Sequence, residues 1–325
     1  MKRISTLRNL IKPDRLCFGD TVGIVAPASA PPDPKTFDRA LVALERLGFK
    51  PKLAKSARLR HGFLAGGDRA RAADLMAMFA DKHVKAIICV RGGYGSARIV
   101  NRLDYGFIRR HPKIFAGYSD LTSLHCALLT QANLISFHAP MLNEDLAGKN
   151  PPAFKVQSFL RTVMEPRPAG SICHGYRRKT VSILRRGVAE GRLIGGNLSV
   201  LCSTLGTPFQ PQFKNRILFF EDISERPYRL DRYLTHLWNA DVLAQVAGVA
   251  VGVNRECTDP DAKPGGEYRQ SAADVVRERL VPLRVPVVTG LPFGHVPLNA
   301  TLPVGVRARL DGRRGDLVII ETAVK

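Results

Sequence analysis

KIFAGYSDLTSL, residues 113–124, is the stretch on which the reading of this chain turns. Ile114-Phe115-Ala116 has the character of a buried strand, Gly117 to Asp120 reads as a sharp turn, and a helical pattern starts near Leu121. A serine on the tight turn between a buried strand and a helix has the geometry of a nucleophile elbow. Gly117 lets the backbone turn without a Cβ clash. The helix N-terminus behind Ser119 leaves unpaired N–H groups that can face a developing negative charge. The stretch departs from the usual G-x-S-x-G in lacking the second glycine. Taken alone, the same residues also describe an ordinary strand–turn–helix joint with a capping serine.

Outward from this stretch, the first half alternates strands and helices. A short apolar strand over 21–26 ends in Pro27. A helix over 33–47 carries Phe37, Leu41, Leu44 and Leu47 at helical spacing and is closed by Gly48. A strand over 50–54 and a helix over 68–79, with Leu75, Met76 and Phe79 on one face, come next. A buried strand over 86–90 runs into Arg91-Gly92-Gly93-Tyr94-Gly95, and helices over 96–103 and 121–131 complete the pattern. Such alternation implies a mostly parallel sheet covered on both faces, with functional groups at the C-terminal ends of its strands.

The pattern breaks over 143–185, where Pro151-Pro152, Pro166, Pro168 and a basic cluster at 177–179 read as an inter-domain connection holding one helix, 153–164. Beyond it lie short β-like runs at 181–184, 187–194, 217–220, 246–253, 286–289 and 304–310, and a terminal hairpin arm at 316–322. Helices are expected over 199–205 and 227–239. The fold class is thus α/β, with an α/β domain over 1–150, a linker over 151–185 and a β-rich α+β domain over 186–325.

Composition bounds the function. The chain has 325 residues, 45% hydrophobic and 24% charged, which suits two soluble globular domains. No apolar run approaches the roughly 20 residues of a membrane span, and the basic N-terminal segment has no apolar h-region. A cytoplasmic protein with no membrane partner is expected. The six cysteines form no C-x-x-C pair and read as reduced, mostly buried thiols; the eight histidines include no H-E-x-x-H spacing, so no metal is expected. The net charge of +21 is spread along the chain in short clusters with no aromatic interleaving. It reads as a solvated basic surface that also attracts an anionic small substrate, not as a nucleic-acid footprint.

Four further segments carry chemistry. RGGYGSAR (91–98) follows a buried strand, and its glycines allow a turn whose N–H groups face outward, suiting an oxyanion hole or a phosphate cradle; a plain glycine-rich βα turn has the same sequence. ILFFEDISERPYRLDR (217–232) places Glu221 and Asp222 at the end of an apolar strand, where acids need partners. One can orient a histidine, or the pair can cap a helix or bridge to Arg226, Arg229 or Arg232. GLPFGHVPLNATLPVG (290–305) holds His295 in a stiff Gly/Pro-rich loop, a candidate general base or a surface residue. Gly195-Gly196-Asn197-Leu198-Ser199 opens a helix, with Asn197 either at the substrate or as N-cap. Together they supply a nucleophile, an oxyanion loop, an acid and a base.

With these five segments in order, the chain resembles the LD-carboxypeptidases, the serine peptidase family that includes muramoyltetrapeptide carboxypeptidase and the microcin C immunity peptidases. The resemblance runs from Gly19 to Gly305. It implies a Rossmann-like N-terminal domain, a β-rich C-terminal domain and an active site between them, in enzymes that are often homodimers. It implies Ser119 as nucleophile, Glu221 as acid and His295 as base, with the backbone N–H groups of Gly93 and Asp120 as oxyanion hole. It also implies a cofactor-free and metal-free cut between a diamino acid and the terminal D-alanine of murein tetrapeptides, in cytoplasmic cell-wall recycling. Arg91, Gly92, Asn197 and Arg232 are candidates for holding the substrate. Hydrolysis of peptidyl or acyl-sulfamoyl adenylates is the alternative within the family, and a basic non-catalytic nucleotide- or nucleic-acid-binding protein the alternative outside it.

Overall fold

A computed structural model describes residues 10–148, 150–261 and 270–325. The first part follows the alternation: β1 (Thr21–Val25), α1 (Pro34–Arg46), β2 (Lys50–Leu53), α2 (Asp68–Ala80), β3 (Val84–Cys89), α3 (Tyr105–Arg110), β4 (Ile114–Gly117), α4 (Thr122–Ala127), β5 (Ser136–His138) and α5 (Ala153–Met164). β1, β3, β4 and β5 are buried along almost their whole length, as strands covered on both faces must be. α1 starts where the Asp33 carboxylate accepts from the Lys35 and Thr36 N–H groups and Pro34 fills the first position. The five strands are parallel in the order β2-β1-β3-β4-β5. The chain changes direction across the sheet between β1 and β3, so the loops after these two strands open a crevice at their C-terminal ends.

Three local expectations shift. The buried face of α2 carries Arg71, Ala72, Asp74, Leu75, Met78 and Phe79; two charges on the inner face disguise the periodicity, and Met78 rather than Met76 is buried. The helix expected over 96–103 is two short 3₁₀ turns, Ser96–Arg98 and Val100–Arg102. The helix expected over 121–131 is a 3₁₀ turn (Ser119–Leu121), then α4, then a π turn (Leu128–Ala132), stopped by Asn133 at φ 53°.

The second part holds β6 (Gly170–Ser171), β7 (Ser182–Arg185), β8 (Val188–Asn197), α6 (Leu198–Cys202), β9 (Arg216–Glu221), α7 (Pro227–Asn239), α8 (Val242–Gln245), β10 (Gly248–Val251), α9 (Ala272–Leu280), β11 (Val287–Thr289), β12 (Leu302–Val304), β13 (Arg307–Asp311) and β14 (Asp316–Ile319). Its sheet runs β6-β14-β13-β8-β9-β10-β11-β7, with β8 to β11 parallel and the flanking strands antiparallel. The stretch 151–185 is more than a connection. It supplies α5 and both edge strands, β6 and β7, of this sheet.

The apolar run at 304–310 is likewise two strands. β12 leaves the second part and pairs antiparallel with β5, Leu302 opposite His138, as the sixth strand of the first sheet. Gly305 at φ 97° then turns the chain back into β13. The two sheets are thereby stitched together, and β5 presents no open edge. Among the described residues, no helix is long and apolar enough to cross a membrane.

Candidate active site

The turn lies at Ser119 itself. Ser119 has φ 65°, the left-handed region that costs a non-glycine residue roughly 1–2 kcal/mol. Gly117 does not make the turn; its missing side chain leaves room for Cys89 and Leu121, whose atoms would lie 3.2 Å from a Cβ there. The left-handed serine is held from behind. Thr122 Oγ1 donates to the Ser119 carbonyl at 2.7 Å and accepts from the Asn197 N–H at 2.9 Å. A Cβ on Gly196 would sit 2.4 Å from that same Oγ1, so the close approach of β8 to the start of α4 requires glycine there.

Glycine loop 91–95 leaves β3 and passes directly over Ser119. A Cβ on Gly92 would lie 2.9 Å from Ser119 Cβ, 3.0 Å from its Oγ and 3.3 Å from the Asp120 nitrogen. Gly93 takes φ 95°, and a Cβ on it would meet Ser29 Oγ at 2.4 Å. Ser29, in the loop after β1, accepts from the Tyr94 N–H at 3.1 Å and donates its own N–H to the Gly92 carbonyl at 3.2 Å. The two loops of the crevice are thus tied together beside the serine.

Glu221 ends β9, fully buried. Its Oε2 accepts from His295 Nδ1 at 2.6 Å and from the His295 backbone N–H at 3.3 Å. Gly294, at φ 110°, makes this possible, because a Cβ there would lie 2.8 Å from that oxygen. The Nδ1 contact leaves Nε2 as the ring nitrogen not engaged with Glu221, and the Tyr118 ring packs edge-on against the imidazole at 4.9 Å. Burial works against the imidazolium, but the hydrogen bond and charge of Glu221 outweigh it, and His295 titrates above the ordinary 6.5.

Asp222 faces the other way, as the alternation of a strand dictates. Its carboxylate accepts from Asn197 Nδ2 at 2.8 Å, the Ser199 N–H at 2.9 Å and the Ile223 N–H at 2.9 Å. Burial, with the Glu221 charge beside it, raises its carboxyl to about 6. Neither acid pairs with Arg226 or Arg229: Arg226, just before α7, meets Asp259 and Asp261, and Arg229 meets Glu225.

Ser119, Gly92, Gly93, Arg91 and His295 line one cavity of about 590 Å³. Several charged side chains stand in its wall. Arg91 pairs with Glu144 at 3.2 Å, Lys155 forms a buried pair with Asp145, and Arg255 donates to the His295 carbonyl at 3.2 Å. Sequence reasoning missed Glu144, Asp145, Lys155 and Arg255; the first three fall where the chain reads as a break, and Arg255 lies in a loop with no motif. Two residues expected at the substrate lie elsewhere. Asn197 is buried and caps α6, accepting from the Val200 N–H at 3.2 Å. Arg232 projects from α7 over the Tyr228 ring at 5.4 Å from its centroid and is not among the residues lining the cavity. Among the described residues, no group of three or more His, Cys, Asp or Glu side chains is placed to hold a metal ion.

Two lobes meeting over one cavity, a strained serine from the first and a carboxylate-backed histidine from the second, are the build of a serine hydrolase. Residues 22–139 match the LD-carboxypeptidase N-terminal domain and residues 190–310 the LD-carboxypeptidase C-terminal domain. The chain is 40% identical over 308 residues to a probable murein peptide carboxypeptidase of Bacillus subtilis, covering 95% of this chain and 94% of the relative. Its fold superposes on the muramoyltetrapeptide carboxypeptidase of Oxalobacter formigenes with a TM-score of 0.80 at 30% identity, over 94% of this chain and 100% of that one. It superposes on apo MccF, a microcin C7 self-immunity protein, with a TM-score of 0.86 at 25% identity, over 97% and 100%. The chain belongs to the LD-carboxypeptidase family and is a serine carboxypeptidase.

Proposed function

We propose that this enzyme hydrolyses the amide between a diamino acid and the terminal D-alanine of murein tetrapeptides, with Ser119 as nucleophile, His295 as base and Glu221 as its orienting acid. The observation that carries the reading is the placement of Ser119 and the Glu221-bound His295 on one cavity. His295, held through Nδ1, presents Nε2 to take the Ser119 proton as Oγ attacks the scissile carbonyl. The developing oxyanion is met by the Gly93 and Asp120 N–H groups, donors of a kind worth roughly 3–4 kcal/mol of barrier each. His295 then protonates the departing D-alanine amine, and water, activated by the same imidazole, releases the acyl group. Arg91 and Arg255 offer positive charge to the terminal carboxylate. Cytoplasmic peptide recycling and a homodimer belong to this reading through the family resemblance.

The adenylate alternative calls for an aromatic platform for the base. The single tryptophan, Trp238, lies in α7, donates to the Arg279 carbonyl at 2.9 Å and does not line the cavity, which favours the murein peptide. The test is mass spectrometry of L-Ala-D-Glu-meso-diaminopimelate-D-Ala incubated with the enzyme and a chelator. Release of D-alanine by the wild type and not by Ser119→Ala is expected. Intact tetrapeptide after incubation with folded wild type overturns the substrate, and cleavage of an aminoacyl-sulfamoyl adenylate under the same conditions replaces it.

A further inference from the structure

The glycine loop is gripped from two sides by side chains that do not line the cavity. Arg71, on the inner face of α2, has a fully buried side chain. Its Nε donates to the Gly66 carbonyl at 3.2 Å, its Nη1 to the Gly95 carbonyl at 2.9 Å and to the Pro27 carbonyl, and its Nη2 to Asp68. Pro27 belongs to the loop after β1 and Gly95 to the loop after β3, so one guanidinium fork spans the crevice where the sheet order reverses.

From the opposite side the buried Asp120 carboxylate accepts from the Ser96 N–H at 2.8 Å, while Ser96 Oγ donates to the Asp120 carbonyl at 2.5 Å. The Gly95–Ser96 peptide is therefore held at the Gly95 carbonyl by Arg71 and at the Ser96 N–H by Asp120. The φ of 122° at Gly95 and the 2.4 Å that would separate a Cβ there from Leu64 Cδ2 reserve the position for glycine. Gly93 lies two residues upstream on the same short turn.

Burying a guanidinium carries a large desolvation cost. An aliphatic residue at position 71 would fill the core without it, but would not tie the two loops. We propose that Arg71 and the Asp120 side chain are positioning residues that clamp the Gly95–Ser96 peptide and thereby fix the Gly93 N–H at the oxyanion. This rests on Gly93 and Asp120 being the oxyanion donors.

The experiment compares wild type with Arg71→Lys, Arg71→Met and Asp120→Asn. Fold is checked by near-UV circular dichroism and thermal unfolding. The readouts are the rate at which a fluorophosphonate labels Ser119, and kcat and KM on the murein tetrapeptide. Folded variants with labelling rate and kcat reduced roughly 10- to 100-fold and KM within about twofold are expected, because the lost interaction exists only once charge develops on the oxygen. Arg71→Lys should retain more rate than Arg71→Met. Wild-type labelling rates in folded Arg71→Lys and Asp120→Asn overturn the proposal. So does loss of fold in all three variants, which would make the pair a general core brace. If wild type labels at Ser119 yet leaves the tetrapeptide intact, the substrate reading fails and the labelling rates alone decide the clamp.

Discussion

Ser119 occupies a conformation that its own side chain disfavours, and the structure spends Thr122, Asn197 and two glycines on keeping it there. Replacing it separates chemistry from strain. Ser119→Ala should lose turnover by a factor of at least about 10³ while its melting temperature stays near wild type. Ser119→Gly, equally inactive, should melt higher, since glycine relieves up to roughly 1–2 kcal/mol of left-handed strain. A calorimetric scan of both variants decides this, and a glycine variant that melts below the alanine one would contradict the strain. At His295 the sign of the pH effect follows from its partner. As the proposed base it must be neutral to accept a proton, and its pKa lies above 6.5, so kcat/KM should fall on the acid side with an apparent pKa above that value. Glu221→Gln removes the charge and leaves the burial, which lowers the pKa: the limb should move to lower pH while the plateau drops. The raised pKa also means that this pair's contribution to stability is complete below the unfolded histidine value and fades as pH rises through the folded one. The stability gap between wild type and Glu221→Gln should therefore narrow as pH rises through the folded histidine's pKa. Ser119 and the glycine loop are legible in sequence because a strand, a turn and a helix start lie within a dozen residues. Arg71 is not, because a buried charge on a helix looks in sequence like a solvated one.

At the level of elements, the buried strands and α5 declare themselves, β1, β3 and β4 by continuous apolar runs and α5 by its flanking prolines and helical spacing. What hides is the pairing between elements. Asn197 of β8 stands beside Glu221 of β9 in the parallel register, which is why the Asn197–Asp222 brace and the Glu221–His295 pair grow from adjacent strand ends. That registry is a property of the sheet, absent from either segment alone. The end of α2 shows a second such contact. Lys113, just before β4, donates through Nζ to the Met78 carbonyl at 2.9 Å and to the Asp81 carbonyl, closing the helix C-terminus. Burial pulls its pKa down to about 8. Lys113→Met should cost about 1–3 kcal/mol at pH 7, because it leaves two carbonyls unpaired. Between about pH 8 and 10.5 the unfolded chain holds a proton that the folded one has released, so wild type should gain stability over the variant as pH rises through that window. Urea titrations at pH 7 and pH 10 measure both effects; a gap that shrinks with pH would refute the assignment.

For the whole molecule, the expected division at residue 150 is cut across by the chain itself. β12 completes the first sheet from the far end of the sequence, and Ser158 of α5 accepts from the Thr301 N–H at 3.0 Å. A fragment of residues 1–150 would expose the edge of β5 and the face that α5 covers, and should neither give a cooperative melt nor resist protease. The intact chain should melt in a single transition; two resolved transitions, or a protease-resistant 1–150 fragment, would show that the lobes stand alone. Sequence reading places the boundary at 150 because proline density marks it, whereas the return of three residues to another sheet leaves only Gly305 as a trace.

That returning strand also sets a timetable. A ribosome delivers β5 early and β12 only near the end of synthesis, so for about half of translation the first sheet has an unpaired border. His295 emerges shortly before β12, and the border is covered at nearly the moment the proposed base arrives. Until then the nascent polypeptide carries Ser119 without His295: under the proposed mechanism it is inert, it is also sticky, and its burden on chaperones is concentrated in that interval.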